Sequence, residues 1–158
     1  MNYTDNSESL RENKDFQIVY NHGRSAANRA LVLYIFRRAD KMREWEIRNS
    51  KGAEGEESPE KKARMPHSWK MAGYEKNRVG ISVSKKVGNS VVRHHLCRLV
   101  RESYRLHDHE FDRGLDMVVI VRPGARELSF SDIDRALLHT ARKLKAVRKA
   151  ETMNSVDA

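Results

Sequence analysis

The sequence predicts an α+β domain in which helices pack on one face or another of a small sheet. Three observations carry this. Segments 90–107 and 129–147 repeat their apolar residues at the helical period. Segments 30–38, 78–86 and 116–124 are short runs rich in β-branched residues, bounded by Gly, Pro, Asn or Ser. With a shorter helical pattern near the N-terminus and a short strand or bulge at 24–29 they give the order α-β-β-β-α-β-α. The chain has 158 residues, enough for one domain with its own core.

Residues 1–9 are polar and are expected to be flexible. Asn13 is placed to cap the first helix and Gly23 to stop it. Phe16, Val19 and Tyr20 share one face of that helix. Residues 24–29 add a short strand or bulge before "ALVLYIFRR" (30–38), which reads as a buried strand. Segment 39–77 is polar, mixed in charge and without sustained periodicity, and reads as an insertion in a single domain spanning 10–148. It contains both tryptophans, Trp45 and Trp69, which either extend the flanking strands or pack locally. "RVGISVSKK" (78–86) alternates Val79, Ile81 and Val83 with Gly80, Ser82 and Ser84. That is a half-buried strand whose small residues leave room for close approach. "DMVVIVRPG" (116–124) is a further strand ended by Pro-Gly. Ser129 and Asp132 stand in capping-box spacing at the head of the last helix, and residues 149–158 form a polar, flexible tail.

Composition narrows the function. The net charge is +9 and the pI near 9.8. Such a balance points to an acidic partner, of which nucleic acid is the commonest. No apolar run approaches the roughly 20 residues needed to cross a bilayer, and the N-terminal stretch has no apolar core of a secretion signal. The single cysteine, Cys97, forms no intramolecular disulfide, which fits a reducing compartment. A cytoplasmic protein without a membrane partner is expected. No Gly-rich loop followed by Lys-Ser/Thr announces a nucleotide or other small-molecule substrate.

The charge is concentrated in one place. "KKVGNSVVRHHLCRLVRESYRLH" (85–107) reads as a helix from Ser90 to His107, capped by Asn89 or Ser90. Val92, Leu96, Leu99 and Ser103, flanked by Val100, form its core stripe. His94, Arg98, Arg101 and Arg105 form the opposite stripe, and Arg93 lies at the edge of the apolar face. Residues 78–105 hold seven Lys and Arg against one acid, Glu102, which places +6 of the protein's charge in 28 residues. A solvated helix ordinarily mixes its signs. Accepting this repulsion makes sense against phosphates, which also release counterions when neutralised. A metal site is poorly supported: His94 and His95 point about 100° apart, and His94 with Cys97 supplies only two ligands of the three or four a zinc site needs. Nothing identifies a base partnered with Cys97 as a nucleophile.

"RVGISVSKKVGNSVVRHHLCRLVRES" resembles the bacterial ribonuclease P protein subunit family. That family runs a strand of the form Gly-Ile/Leu-Ser-Val-Ser-Lys-Lys into Gly-Asn-Ala-Val and an Arg-Asn-Arg-x-Lys-Arg helix. "LRENKDFQIVYNHGRSAANRALVLY" is similar to the family's first helix and strand, and "DMVVIVRPGARELSFSDIDRALLHTARKL" to its last strand and helix. The resemblance covers residues 10–38 and 78–145.

It implies a mixed four-stranded sheet with three helices and an unusual left-handed βαβ crossover through the basic helix. It implies a protein that binds the catalytic RNA subunit of ribonuclease P and the 5′ leader of precursor tRNA. The RNA subunit would carry the active site and require Mg²⁺; the protein alone would be non-catalytic and bind no cofactor. Carried onto this chain, the RNA-subunit contacts are Arg93, His94, His95, Arg98, Arg101 and Arg105, and the leader cleft is Phe16, Tyr20, Ser25, Lys85 and Lys86. By spacing alone, Phe16 and Tyr20 belong equally well to a core. Three positions depart from the family pattern: His94 replaces asparagine, His95 replaces arginine and Cys97 replaces lysine. The alternative reading is a general structured-RNA binder of the ribosome-associated kind. A self-sufficient metal nuclease fails on ligand count.

Histidine titrates within the physiological range and arginine does not. RNA affinity is therefore expected to fall more steeply between about pH 6 and pH 8 than it does in a His94→Asn/His95→Arg variant. Identical pH profiles in a filter-binding assay would sink that expectation.

Overall fold

Residues 2–52 and 64–148 are described by a computed structural model. The central stretch of the expected insertion, 53–63, and the tail 149–158 lie outside the described residues. The elements run β1 (Asn2–Thr4), β2 (Ser7–Ser9), α1 (Asn13–His22), β3 (Arg24–Ala27), β4 (Leu31–Arg37), α2 (Arg38–Gly52), α3 (His67–Ala72), β5 (Asn77–Val83), α4 (Ser90–His107), β6 (Leu115–Val121) and α5 (Phe130–Lys143).

They build a mixed α+β fold around one sheet of order β1-β2-β5-β6-β4-β3. β5 runs parallel to β2 on one side and to β6 on the other. β4 is antiparallel to both β6 and β3. The strand alternation sorts side chains to two faces. Leu33, Ile35, Val79, Met117 and Val119 share a core with Leu96, Val100 and Tyr104 of α4 and with Ile133, Leu137 and Ala141 of α5. On the other face Phe36 and Val118 meet Val19 of α1 and Leu10, Met42, Met65 and Trp69.

The long helices form as their sequence requires. Asn89 caps α4, its Oδ1 accepting from the Val92 amide at 3.0 Å. Ser129 and Asp132 close a reciprocal capping box on α5. The core stripe of α4 is turned toward Val100 and Tyr104; Val92 and Leu99 pack half-buried at its margin.

Several expectations are corrected. The sheet has six strands and the described residues contain five α-helices, against four and three expected. Residues 2–9 are not loose: β1 and β2 form a hairpin on the edge of β5, with Ser7 and Leu10 almost completely buried. Much of the expected insertion is structured, because Met42, Met65 and Trp69 cover the apolar face beside Phe36. Glu12 rather than Asn13 occupies the cap position of α1, with no side-chain cap. β5 ends at Val83, so Lys85 and Lys86 sit in the turn closed by the Val87 amide donating to the Ser84 carbonyl at 3.1 Å.

Two buried polar networks tie these pieces together. In the first, Arg78 of β5 donates to both oxygens of Asp116 on β6, Nε to Oδ1 at 2.8 Å and Nη2 to Oδ2 at 2.5 Å. Its Nη1 reaches Asp15 of α1 at 3.1 Å. Arg38, fully buried, donates to Asp116 and to the Gly73 and Lys76 carbonyls. Ser68 of α3 donates to the other Asp15 oxygen at 2.8 Å. Burial works against the Arg78 charge, but Asp116 and Asp15 outweigh it and raise its pKa.

The second network joins the N-terminal hairpin to α4. Tyr104 donates to Asp108 Oδ1 at 2.7 Å, and Ser7 and Thr4 also donate to that carboxylate. Asn77 donates to the Tyr104 hydroxyl at 3.2 Å. Burial pushes the Tyr104 hydroxyl pKa upward. Burial opposes ionisation of Asp108, yet the bonds from Ser7 and Tyr104, the charge of Arg113 and the bond from Thr4 together hold its carboxyl below the ordinary aspartate range.

Removing one partner of a buried ion network leaves an uncompensated charge, so Asp116→Ala is expected to cost about 3–5 kcal/mol in urea unfolding. A loss within the scatter of surface substitutions would contradict the network's role. Because the Asp108 pKa is depressed on folding, its contribution is complete above the unfolded aspartate value of 3.8 and is lost as pH falls through the lower folded value. Asp108→Asn is therefore expected to flatten the acid limb of the stability–pH curve, as read by denaturant midpoints.

Candidate nucleic-acid interface

The helical period of α4 commits one side to the core, so its remaining side faces outward. His94, His95, Arg98 and Arg105 are exposed there; Arg93 and Arg101 are half-buried. Arg101 is held in place: its guanidinium lies 5.8 Å from the centroid of the Tyr3 ring, and its Nη2 is 3.9 Å from Cys97 Sγ. The Nε groups of Arg93 and Arg101 are buried and find no acceptor among the described residues. Arg105 is partly spent, since Glu102 accepts from its Nε at 3.0 Å and from Nη2 at 2.5 Å. Between α4 and the start of α5 lies a hollow of about 330 Å³ lined by His95, Arg98, Leu99, Arg101, Glu102 and Phe130. Its lining combines the apolar Leu99 and Phe130 with Arg98, Arg101 and one acid, Glu102.

Arg78 belongs elsewhere. Counted with the basic stretch, it is nearly buried and neutralised by Asp116 and Asp15. The outward charge is thus carried by α4 and the Lys85–Lys86 turn.

The second feature is an aromatic face beside α1. Phe16 and Tyr20 are half-buried, their centroids 6.3 Å apart. Tyr20 meets Tyr34 of β4 edge-on at 5.1 Å. Register carries this row across the sheet: Ser25 pairs with Tyr34, Tyr34 with Val118, and Val118 with Gly80. Directly paired residues share a face, so Ser25, exposed, lies on the same face as the Tyr20 ring. One row further along, Val32, Ile120 and Ser82 are half-exposed and form an open floor. Gly80 was expected to leave open space. Instead the space is filled by the protein itself, because a Cβ there would stand 2.5 Å from the Phe16 ring. Gly80 lets the tip of the Phe16 ring approach the sheet.

Lys85 and Lys86 leave the open end of this floor and lead directly into the head of α4. The sequence-predicted residues therefore fall into two adjoining surfaces. Arg93, His94, His95, Arg98, Arg101 and Arg105 lie along α4; Phe16, Tyr20 and Ser25 lie on the α1 face of the sheet; the two lysines follow β5 and precede α4. Tyr34 and Tyr3 were missed. Tyr34 carried a signal, since it alternates with Leu33 and Ile35 onto the opposite face. Tyr3, in a three-residue strand, carried none.

Chemically, the arrangement offers fixed cations for phosphates and aromatic edges for unstacked bases. Among the described residues no three His, Cys, Asp or Glu side chains converge to hold a metal ion, and no helix is long and apolar enough to cross a membrane.

Comparison with known proteins places the chain in a family. The family model described as Ribonuclease P matches residues 5–145. The ribonuclease P protein component of Lachnoclostridium phytofermentans is 39% identical over 145 residues, covering 92% of this chain and 96% of its own. That of Alkaliphilus metalliredigens is 36% identical over 141 residues, covering 89% and 96%. The crystal structure of the Staphylococcus aureus RNase P protein superposes with a TM-score of 0.61 at 26% identity, covering 92% of this chain and all of the other. The chain belongs to the ribonuclease P protein family.

Proposed function

We propose that this chain binds the catalytic RNA subunit of ribonuclease P through the outward side of α4 and holds the 5′ leader of precursor tRNA in the cleft beside α1. Family membership makes it the protein component of the endoribonuclease that matures tRNA 5′ ends. The observation that carries the finer reading is the adjacency of two surfaces: a helix whose exposed arginines pair, among the described residues, with no acid but Glu102, and an aromatic floor of Phe16, Tyr20 and Tyr34. Arg98 and Arg101 contact phosphates of the RNA subunit, with Arg93 contributing from the edge. His94 and His95 contact it from the same exposed side. Leader bases stack on Tyr20 and Phe16, Ser25 offers a hydroxyl, and Lys85 and Lys86 take the adjoining phosphates.

The protein contributes positioning and charge neutralisation. The Mg²⁺ ions and the active site belong to the RNA subunit, and the protein alone is non-catalytic. The β5–α4–β6 connection joins parallel neighbours and is read, on the family resemblance, as a left-handed crossover, against the usual right-handed preference. The protein works in the cytoplasm. A general structured-RNA binder would need the same α4 but no leader cleft.

Precursor tRNA is incubated at low Mg²⁺ with the protein, with the RNA subunit, and with both. Stimulation only in the presence of the RNA subunit is expected. Cleavage by protein alone, or RNA binding without stimulation, would overturn the reading. In salt titrations of RNA-subunit binding, Arg98→Ala is expected to lower the slope of log K against log salt by about 1. Arg105→Ala, already paired with Glu102, should change it less.

A further inference from the structure

Ile18 and His22 lie on the opposite side of α1 from Phe16 and Tyr20. There α1, the end of β4, α2 and segment 64–69 enclose a groove of about 660 Å³. Its walls include Ile18, Phe36, Met65 and both tryptophans of the chain, Trp45 and Trp69. The Trp69 indole N–H is buried and has no acceptor among the described residues, although a buried indole ordinarily finds one. The rim is charged. Lys41 with Glu44 at 3.4 Å and Asp40 with Arg43 at 3.2 Å cancel in pairs. Arg24 and Arg64 have no carboxylate partner among the described residues and add two cations to the rim.

The groove also adjoins the leader cleft. Arg24 on its rim is followed by Ser25 on the cleft face, and His22 ends the helix that separates the two. The lysine turn and α4 lie at the other end of the cleft, where the RNA subunit is proposed to bind. A leader strand running away from that subunit therefore passes the α1–β3 turn.

We propose that this groove is a second single-stranded RNA site, which takes leader nucleotides more distant from the cleavage point than those in the cleft. One base stacks against the tryptophan wall, and Arg24 and Arg64 hold the flanking phosphates. Apolar aromatic walls under a cationic rim are how single strands are gripped without sequence readout. This inference rests on the function proposed above and adds a site to it.

The two tryptophans make the site directly observable, because nucleic acid contains none and both line the groove. The holoenzyme is titrated with precursor tRNAs whose leaders grow one nucleotide at a time. Short leaders are expected to leave tryptophan emission unchanged. Past a threshold length, emission should quench and affinity tighten by about tenfold, the worth of one stacked base. Arg64→Glu should abolish that gain while short-leader binding and cleavage stay as they were. Trp45→Phe and Trp69→Phe should each remove part of the quench. Emission that is flat at every leader length would overturn the inference, as would a length-dependent gain that Arg64→Glu retains. Failure to stimulate the RNA subunit with any precursor would instead overturn the function proposed above.

Discussion

Asp116 lies on the central strand and receives two guanidinium groups, from Arg78 beside it on β5 and from Arg38 at the head of α2. Arg78 passes on to Asp15 of α1, and Asp15 takes a bond from Ser68 of α3. Five elements thus meet at two carboxylates and two arginines whose charges cancel. Such a cluster contributes little net stability beyond an apolar equivalent, because desolvation is costly. Its effect is geometric. A one-residue slip of β5 on β6 would part Arg78 from Asp116 and turn every side chain of β5 to the wrong face. The same cluster fixes α1 over the sheet, and so sets where Phe16 and Tyr20 stand relative to Gly80 and Tyr34.

The arginines of this chain divide into two populations by environment. Arg38 and Arg78 are enclosed, forked onto carboxylates and carbonyls, and serve the fold. On α4, whose opposite stripe is core, Arg98 is exposed and the Nε groups of Arg93 and Arg101 find no acceptor among the described residues. A guanidinium suits both tasks because it stays charged and presents a rigid fork of donors. Composition reports their sum; only the packing separates them.

The strands, the basic helix and the capped last helix were legible because their information is local. Asn89 and Ser129 cap at the expected residues, and the strand alternation sorts Val79 and Leu33 from Gly80 and Tyr34. What could not be read depends on distant partners. Ser7 is polar in sequence and buried in the fold, because Tyr104 and Asp108 satisfy its hydroxyl. Met42 and Trp69 sit in polar surroundings and carry no long period, yet each finds the same apolar patch beside Phe36. Arg78 looked like one more surface cation, since nothing local announces Asp15 and Asp116. In the candidate site the outward stripe of α4 was readable at 100° per residue, while the Glu102–Arg105 pair and the Tyr3 brace were not.

The order of strands has a consequence for how the chain comes to be folded during synthesis. β6 separates β5 from β4, yet follows both in the chain. Until residue 121 is available, β4 and β5 have no common neighbour, and Arg38 and Arg78 lack the Asp116 carboxylate that gathers them. Long-range pairing of this kind is paid for late in folding. A nascent chain already carries the whole of α4 at that point, but without the sheet to present it. The sheet on which α4 packs is therefore complete only once the central strand is in place.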